Sequence, residues 1–219
     1  MTARPDRLVV CLGTGTEVGK TWVGAATLAG LRRSGTTVAA RKPVQSFDLD
    51  DPTPTDARLL AQATGEAVDL VCPPHRNFAV ALAPPMATEV LDRDPIALAD
   101  LVNEIETSWA PATDLGWVES AGGVRSPIAN DGDGVALVQA LRPDVVVLVA
   151  DAELGTLNAV RLCLDALGAT ATDVVVILNR YDPANDLHRR NLEWLAVRDG
   201  ATVVTDTGAL GETVSPGRP

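Results

Sequence analysis

The strongest constraint on this chain is a pair of uninterrupted apolar runs, DVVVLVAD from Asp144 to Asp151 and DVVVILNR from Asp173 to Arg180. A strand on a half-exposed sheet alternates apolar and polar residues. A strand that is apolar through its middle is covered on both faces, as in a parallel sheet wrapped by helices. ELGTLNAVRLCLDALG, between the two runs, reads as a helix entry and helix, and HRRNLEWLAVRDG is helical before a last short strand, ATVVTD. The first half alternates in the same way. Arg7 to Gly13 reads as a strand, TWVGAATLAGLRR as a helix closed by Ser34-Gly35, and Thr36 to Lys42 as the next strand. LGWVES is another buried strand and VALVQAL a short helix. Strands alternating with helices predict a single doubly wound, mostly parallel α/β domain over residues 1–219, with helices on both faces.

Between these elements the text is less regular. Thr55 or Asp56 caps a helix DARLLAQAT that Gly65 stops. Residues 68–86 carry repeated prolines and read as a surface loop. Pro95 opens a helix IALADLVNEIETSWA, whose apolar stripe is Ile96, Ala99, Leu101, Val102 and Ile105. DGDG, Asp131 to Gly134, reads as a turn.

Charge and composition remove some functions. The formal net charge of -11 opposes binding to nucleic acid or an acidic membrane, and an aromatic content of 3% leaves little for base stacking. The N-terminal apolar stretch is too short for a signal peptide, and no run has the apolar length of a membrane helix. Cys11, Cys72 and Cys163 are far apart and form no metal-ligand pattern, so buried reduced thiols in a cytoplasmic protein are expected. His75 and His188 have no partner at ligand or triad spacing and read as surface residues.

In a doubly wound fold, ligands bind beyond the carboxyl ends of the strands. The segments GTGTEVGKT, KPVQS, ESAGG, ADAELGT and LNR all follow strands. The first joins a strand to a helix and ends in Gly19-Lys20-Thr21. That is the setting in which backbone amides surround phosphates, a lysine reaches the outer phosphates and a hydroxyl meets Mg²⁺. The loop is one residue longer than the common phosphate loop, because Thr14 stands where a glycine would and Gly13 lies one place earlier. The fold class is therefore of P-loop NTPase type. Lys20 and Lys42 are the only lysines among 18 basic residues. A compact ammonium fits between phosphate oxygens where a planar guanidinium does not. Magnesium at such a loop needs a carboxylate from another strand end. Glu119, Asp151 and Asp56 are the candidates.

The set GTGTEVGKT, KPVQS, Asp56, LAPPMA, VESAGG, ADAELGTLNAVRLCLDAL and LNR, in this order and spacing, resembles the dethiobiotin synthetase family from about Leu8 to Leu195. The resemblance implies a homodimeric, ATP- and Mg²⁺-dependent ligase of biotin synthesis. Such an enzyme joins CO₂, or bicarbonate, to 7,8-diaminopelargonic acid and closes the cyclic urea of dethiobiotin. By matching position, Lys42 and Lys20 would be the catalytic lysines. Glu17, Val18, Gly19, Lys20, Thr21 and Trp22 would wrap the ATP phosphates, joined by Glu119, Ser120, Ala121 and Gly122. Asn179 and Arg180 would border the adenine. Thr21, Asp56 and Glu119 would hold the metal, which leaves Asp151 an auxiliary or capping role. Thr16 and Ser46 would meet the diamine, and Gly155 and Asn158 the carboxylate tail of the diamine in the other subunit.

The sequence departs from the family pattern in three places. Phe47 follows Ser46 and Ser120 follows Glu119 where the family usually has glycine, and VVTDTGALGE stands where a proline-containing strand end is expected near the base. Phe47 and Ser120 prompt a second reading, a related ATP-dependent cyclo-ligase acting on another diamine. A regulatory P-loop ATPase is a third. It would leave KPVQS without a task, and the second lysine common early in such loops is missing here.

Overall fold

The computed structural model describes residues 4–170 and 172–217. β1 (Arg7–Gly13) leads into the glycine loop and α1 (Lys20–Arg33) leaves it. After β2 (Val38–Arg41) a long excursion holds β3 (Gln45–Ser46), α2 (Asp56–Thr64), α3 (Val68–Val71), β4 (Asn77–Phe78), α4 (Pro84–Val90) and α5 (Leu98–Thr107). β5 (Leu115–Glu119) returns to the sheet, and an antiparallel hairpin of β6 (Pro127–Ala129) and β7 (Gly132–Asp133) leads to α6 (Gly134–Leu141). The chain then runs through β8 (Val145–Asp151), α7 (Thr156–Leu167), β9 (Asp173–Asn179), α8 (Asp186–Glu193), β10 (Thr202–Val204) and α9 (Thr207–Val214).

The main sheet has the order β10-β9-β8-β1-β5-β2, and every pairing in it is parallel. Its strands are buried on both faces. Leu8, Val10 and Leu12 of β1 join one apolar cluster, and Val9 and Cys11 join the other. β8 divides likewise, with Val146, Leu148 and Ala150 on one side and Val145, Val147 and Val149 on the other. Each fully buried aliphatic side chain contributes about 1.5–3 kcal/mol, so both layers are needed to hold the sheet. The chain fills the β2 and β5 side of β1 first and the β8 to β10 side afterwards. The carboxyl end of β1 is therefore the switch point, where such sheets bind ligands.

Several expectations are corrected. Residues 68–86 are not one irregular loop: α3, a 3₁₀ turn (Pro74–Arg76), β4 and the start of α4 occupy them. The prolines of α4 stand in its first turn, where a missing N–H costs nothing. α5 begins at Leu98 rather than beside Pro95. The Ile96 amide donates to Asn130 Oδ1 and the Leu98 amide to Asp131 Oδ1, so the turn between β6 and β7 sets the helix start. His188 is buried, not exposed. Its Nδ1 accepts from the Asp182 amide at 3.0 Å while its ring lies 6.0 Å from that of Tyr181. The helical text after it ends as a π turn over Trp194–Arg198. VVTDTGALGE holds a helix that the sequence reading missed: Asp206 accepts from Gly208 and Ala209 amides, and Leu210 and Val214 of α9 are buried. His75 is exposed as expected, beside Glu104 at 3.1 Å. Among the described residues, all three cysteines are free and buried, and no helix is long and apolar enough to cross a membrane.

Candidate active site

The loop after β1 is shaped by two glycines. A Cβ on Gly13 would meet Val18 Cγ2 at 2.9 Å and Gly15 O at 3.0 Å. Gly19 has φ +94°, and a Cβ there would lie 2.1 Å from Asn179 Nδ2. The longer spacing from Gly13 to Gly19 thus has a cause: each glycine stands where the loop folds back on itself or on β9. Gly15, between them, has only Val18 Cγ1 at 3.9 Å. Lys20 curls under this loop, with Nζ donating to Gly15 O at 3.0 Å. Burial lowers its pKa, and the charge of Lys42 lowers it further.

Beside the loop, three elements converge. Thr21 of α1 donates its hydroxyl to Glu119 Oε1 at 2.7 Å. Lys42, just past β2, reaches Glu119 Oε1 at 2.7 Å, Asp56 Oδ2 at 2.8 Å and the Ser120 carbonyl at 3.1 Å. All three ammonium protons therefore have acceptors. Burial opposes the charge on Lys42, but Glu119 and Asp56 outweigh it and hold the pKa above the ordinary lysine range. Lys42 is a fixed positive charge, not a proton acceptor. Burial also pushes Asp56 upward, yet the Lys42 charge and hydrogen bond, with the Thr21 hydroxyl, pull it below the usual carboxylate value.

Glu119 Oε2 supplies the test for a metal. It is buried and has no hydrogen-bond partner, an expensive state for a carboxylate oxygen. Glu119, Asp56 and the Thr21 hydroxyl present hard oxygen donors of the kind magnesium takes along with phosphates. Among the described residues no group of three or more His, Cys, Asp or Glu gathers into a cage, so a metal here would share its shell with a substrate.

Gln45, which the sequence reading passed over, anchors this cluster. Thr55 makes no side-chain cap on α2. Instead Gln45 Oε1 accepts the Ala57 amide at 3.0 Å, and its Nε2 donates to Asn77 Oδ1. The helix that carries Asp56 is thus capped from β3. Gln45→Ala is expected to lower stability by about 1 kcal/mol, the usual worth of an N-terminal cap. The midpoint of urea unfolding measures this, and an unshifted midpoint would deny Gln45 that role.

A cleft of about 840 Å³ opens over these groups. Thr16, Glu17, Gly19, Lys20, Thr21 and Trp22 line one side, and Lys42, Ser46, Asp56, Ala121, Gly122 and Arg180 also face it. Phe47, Asp48, Asp51 and Leu82 add to the wall near Ser46. Glu119 and Ser120 are buried beneath the cleft. Val18 packs against the core, and Asn179 is buried with its amide donated to the Val18 carbonyl at 3.0 Å. Gly155 and Asn158 are exposed at the start of α7, away from the cleft lining, next to an 86% exposed Leu154. Asp151 pairs with Arg180 and not with the Lys42 cluster.

A phosphate loop at the switch point of a parallel sheet, with its lysine, hydroxyl and buried acid in register, defines a P-loop nucleotide-binding protein. Solved structures share the fold. A nucleotide-binding protein from Archaeoglobus fulgidus in complex with ADP matches with TM-score 0.54 at 15% identity, over 95% of this chain and 86% of that one. The cell division ATPase MinD of Pyrococcus furiosus matches with TM-score 0.52 at 20% identity, over 95% and 87%. An AAA-domain family model matches residues 7–211. The chain is 38% identical over 183 residues to the ATP-dependent dethiobiotin synthetase BioD of Methylobacterium nodulans, covering 78% of this chain and 79% of the relative. It is 34% identical over 212 residues to that of Caulobacter sp. strain K31, covering 91% and 90%. The chain belongs to the dethiobiotin synthetase family and is a ligase.

Proposed function

We propose that this chain carboxylates 7,8-diaminopelargonic acid with CO₂ and closes the urea ring of dethiobiotin, releasing ADP and phosphate. In this reading one amine of the substrate takes up CO₂ and loses a proton to give a carbamate. A carbamate oxygen attacks the γ-phosphorus of ATP and displaces ADP. The second amine attacks the resulting mixed anhydride and expels phosphate. The observation that carries the reading is the Lys42–Glu119–Asp56 cluster, held at the side of a phosphate loop that carries a second lysine.

The chain's own residues bind, orient and neutralise. Loop amides from Glu17 to Trp22 and Lys20 receive the phosphates. Lys42 supplies a fixed positive charge where carbamate and γ-phosphate meet, and stabilising charge as it develops is what phosphoryl transfer chiefly asks of a protein. Thr21, Asp56 and Glu119 would hold Mg²⁺, which when bound neutralises phosphate charge. Ser46 and Thr16 orient the diamine, with Gly122 bordering the reacting centre. Asn179 and Arg180 close the nucleotide end. The exposed start of α7, with Gly155 and Asn158, serves the substrate tail of a second copy in a homodimer.

The regulatory ATPase reading has fold likeness alone in its favour. The two readings differ in coupling: in the ligase, phosphate release from ATP requires both bicarbonate and the diamine. ATP turnover indifferent to the diamine would remove the biotin assignment.

A further inference from the structure

The buried face of α8 is polar. His188 and Asn191, three residues apart and so on one side of the helix, are its buried residues. An apolar pair would pack there without the desolvation that a buried imidazole and amide incur. What the two side chains reach is the loop after β8. Asn191 Nδ2 donates to the Ala152 carbonyl at 2.9 Å and to the Glu153 carbonyl at 3.3 Å. His188 Nδ1 accepts from the Asp182 amide, so the neutral ring carries its proton on Nε2, 3.4 Å from Glu153 Oε1. This loop needs an anchor. Glu153, Leu154 and Gly155 are exposed, and Gly155 turns with φ +97° into α7. No side chain caps the first turn of α7, and the Thr156 hydroxyl, buried within it, has no hydrogen-bond partner. The open amides of a helix start carry partial positive charge and suit a carboxylate. They can receive one only from a fixed place. The backbone ties the Ala152 amide to the Asn179 carbonyl and the Thr156 amide to the Glu153 carbonyl, each at 3.2 Å. Asn191 adds a grip on the two carbonyls just before Leu154 and Gly155.

We infer that Asn191 is a positioning residue for the tail of the substrate. It holds the loop after β8 so that Gly155, Asn158 and the first amides of α7 meet the carboxylate of the diamine. This rests on the proposed reading of that loop as the tail site of a second copy in a homodimer. Neither Asn191 nor His188 lines the cleft over the phosphate loop. The effect of Asn191 therefore falls on one end of one substrate, and neither ATP nor the reacting amines depend on it.

Steady-state kinetics of the full chain with two diamines separates the alternatives. One is 7,8-diaminopelargonic acid, and the other is the same diamine with a methyl group in place of the carboxylate. The unaltered protein is expected to prefer the acid in kcat/KM. In Asn191→Leu, which keeps the volume of the side chain, KM for the acid is expected to rise about tenfold, the worth of one hydrogen bond to a carboxylate. The kcat and the KM for ATP are expected to hold, as when binding common to ground and transition states is lost. The methyl-ended diamine is expected to be used as before. Asn191→Ala, assayed well below its melting temperature, is expected to behave alike. A loss shared by both diamines, or one that extends to ATP, would mark Asn191 as structural and overturn the inference. An unchanged KM for the acid in both variants would overturn it as well. An unaltered protein that uses both diamines equally well would remove the tail site, and the inference with it, while ring closure stands. Absence of ring product from either diamine would instead remove the proposed reaction on which the inference rests.

Discussion

Lys42→Ala is expected to lower turnover by roughly 10²–10³-fold, the range seen when one preorganised stabilising donor is removed, while ATP still binds. The reason lies in the division of labour between the two lysines. Lys20 sits under the loop, bonded to Gly15 O, and in the proposed mechanism serves the nucleotide whether or not a second substrate is present. Lys42 sits apart, clamped by Glu119, Asp56 and the Ser120 carbonyl. Of its two carboxylate partners, Glu119 is fully buried while the Asp56 side chain is 43% exposed. In the proposed mechanism Asp56 is therefore the partner that yields when phosphate or carbamate arrives. Alanine at 42 also leaves Glu119 without its counter-charge, and breaking a buried pair costs about 3–5 kcal/mol. Binding must therefore be measured well below the melting temperature. Lys42→Arg tests the steric side: the site is closed around a compact ammonium, and a wide planar guanidinium is not expected to restore turnover. Turnover unchanged in Lys42→Ala would remove Lys42 from the mechanism.

Gly19→Ala is expected to weaken ATP binding by roughly 30- to 150-fold. A left-handed conformation costs a residue with a Cβ about 1–2 kcal/mol, and the displaced Asn179 bond adds about 1 kcal/mol. The Cβ would stand 2.1 Å from the Asn179 amide nitrogen, so the Asn179 side chain must give up its bond to Val18 O or the loop must leave its binding shape, which the nucleotide must then restore. Gly15→Ala is the control. Nothing but Val18 Cγ1 lies within 4 Å of a Cβ there, so its effect is expected to be below threefold. Comparable affinities for the two variants, measured by the same titration, would mean that the loop geometry does not govern binding.

The parts of the fold that could be read ahead were those where one physical rule acts alone. The runs in β1, β8 and β9 are apolar because both their faces are buried. Likewise the polar text after β1, β2, β5 and β9 marked the cleft, where Thr21, Lys42 and Glu119 converge, while that after β8, with Gly155 and Asn158, lies away from it. Residues 68–86 were misread because proline was taken as a breaker, whereas Pro84 and Pro85 stand in the first turn of α4. His188 escaped for lack of a sequence partner: its hydrogen bond is to a backbone amide, which carries no residue signature. Gln45 escaped for the same reason, because its role depends on the Ala57 amide and on Asn77, 32 residues away. α9 was hidden by its glycines, although Asp206 two residues before Gly208 is an N-cap signal that could have revealed it.

The central claim is that the Lys42 cluster and the phosphate loop form one carboxylating, ring-closing site. Incubation of the protein with ATP, magnesium, 7,8-diaminopelargonic acid and ¹³C-bicarbonate, followed by mass spectrometry, tests it most directly. The account predicts labelled dethiobiotin, formed in a one-to-one ratio with released phosphate. Phosphate released with no labelled ring product would contradict it.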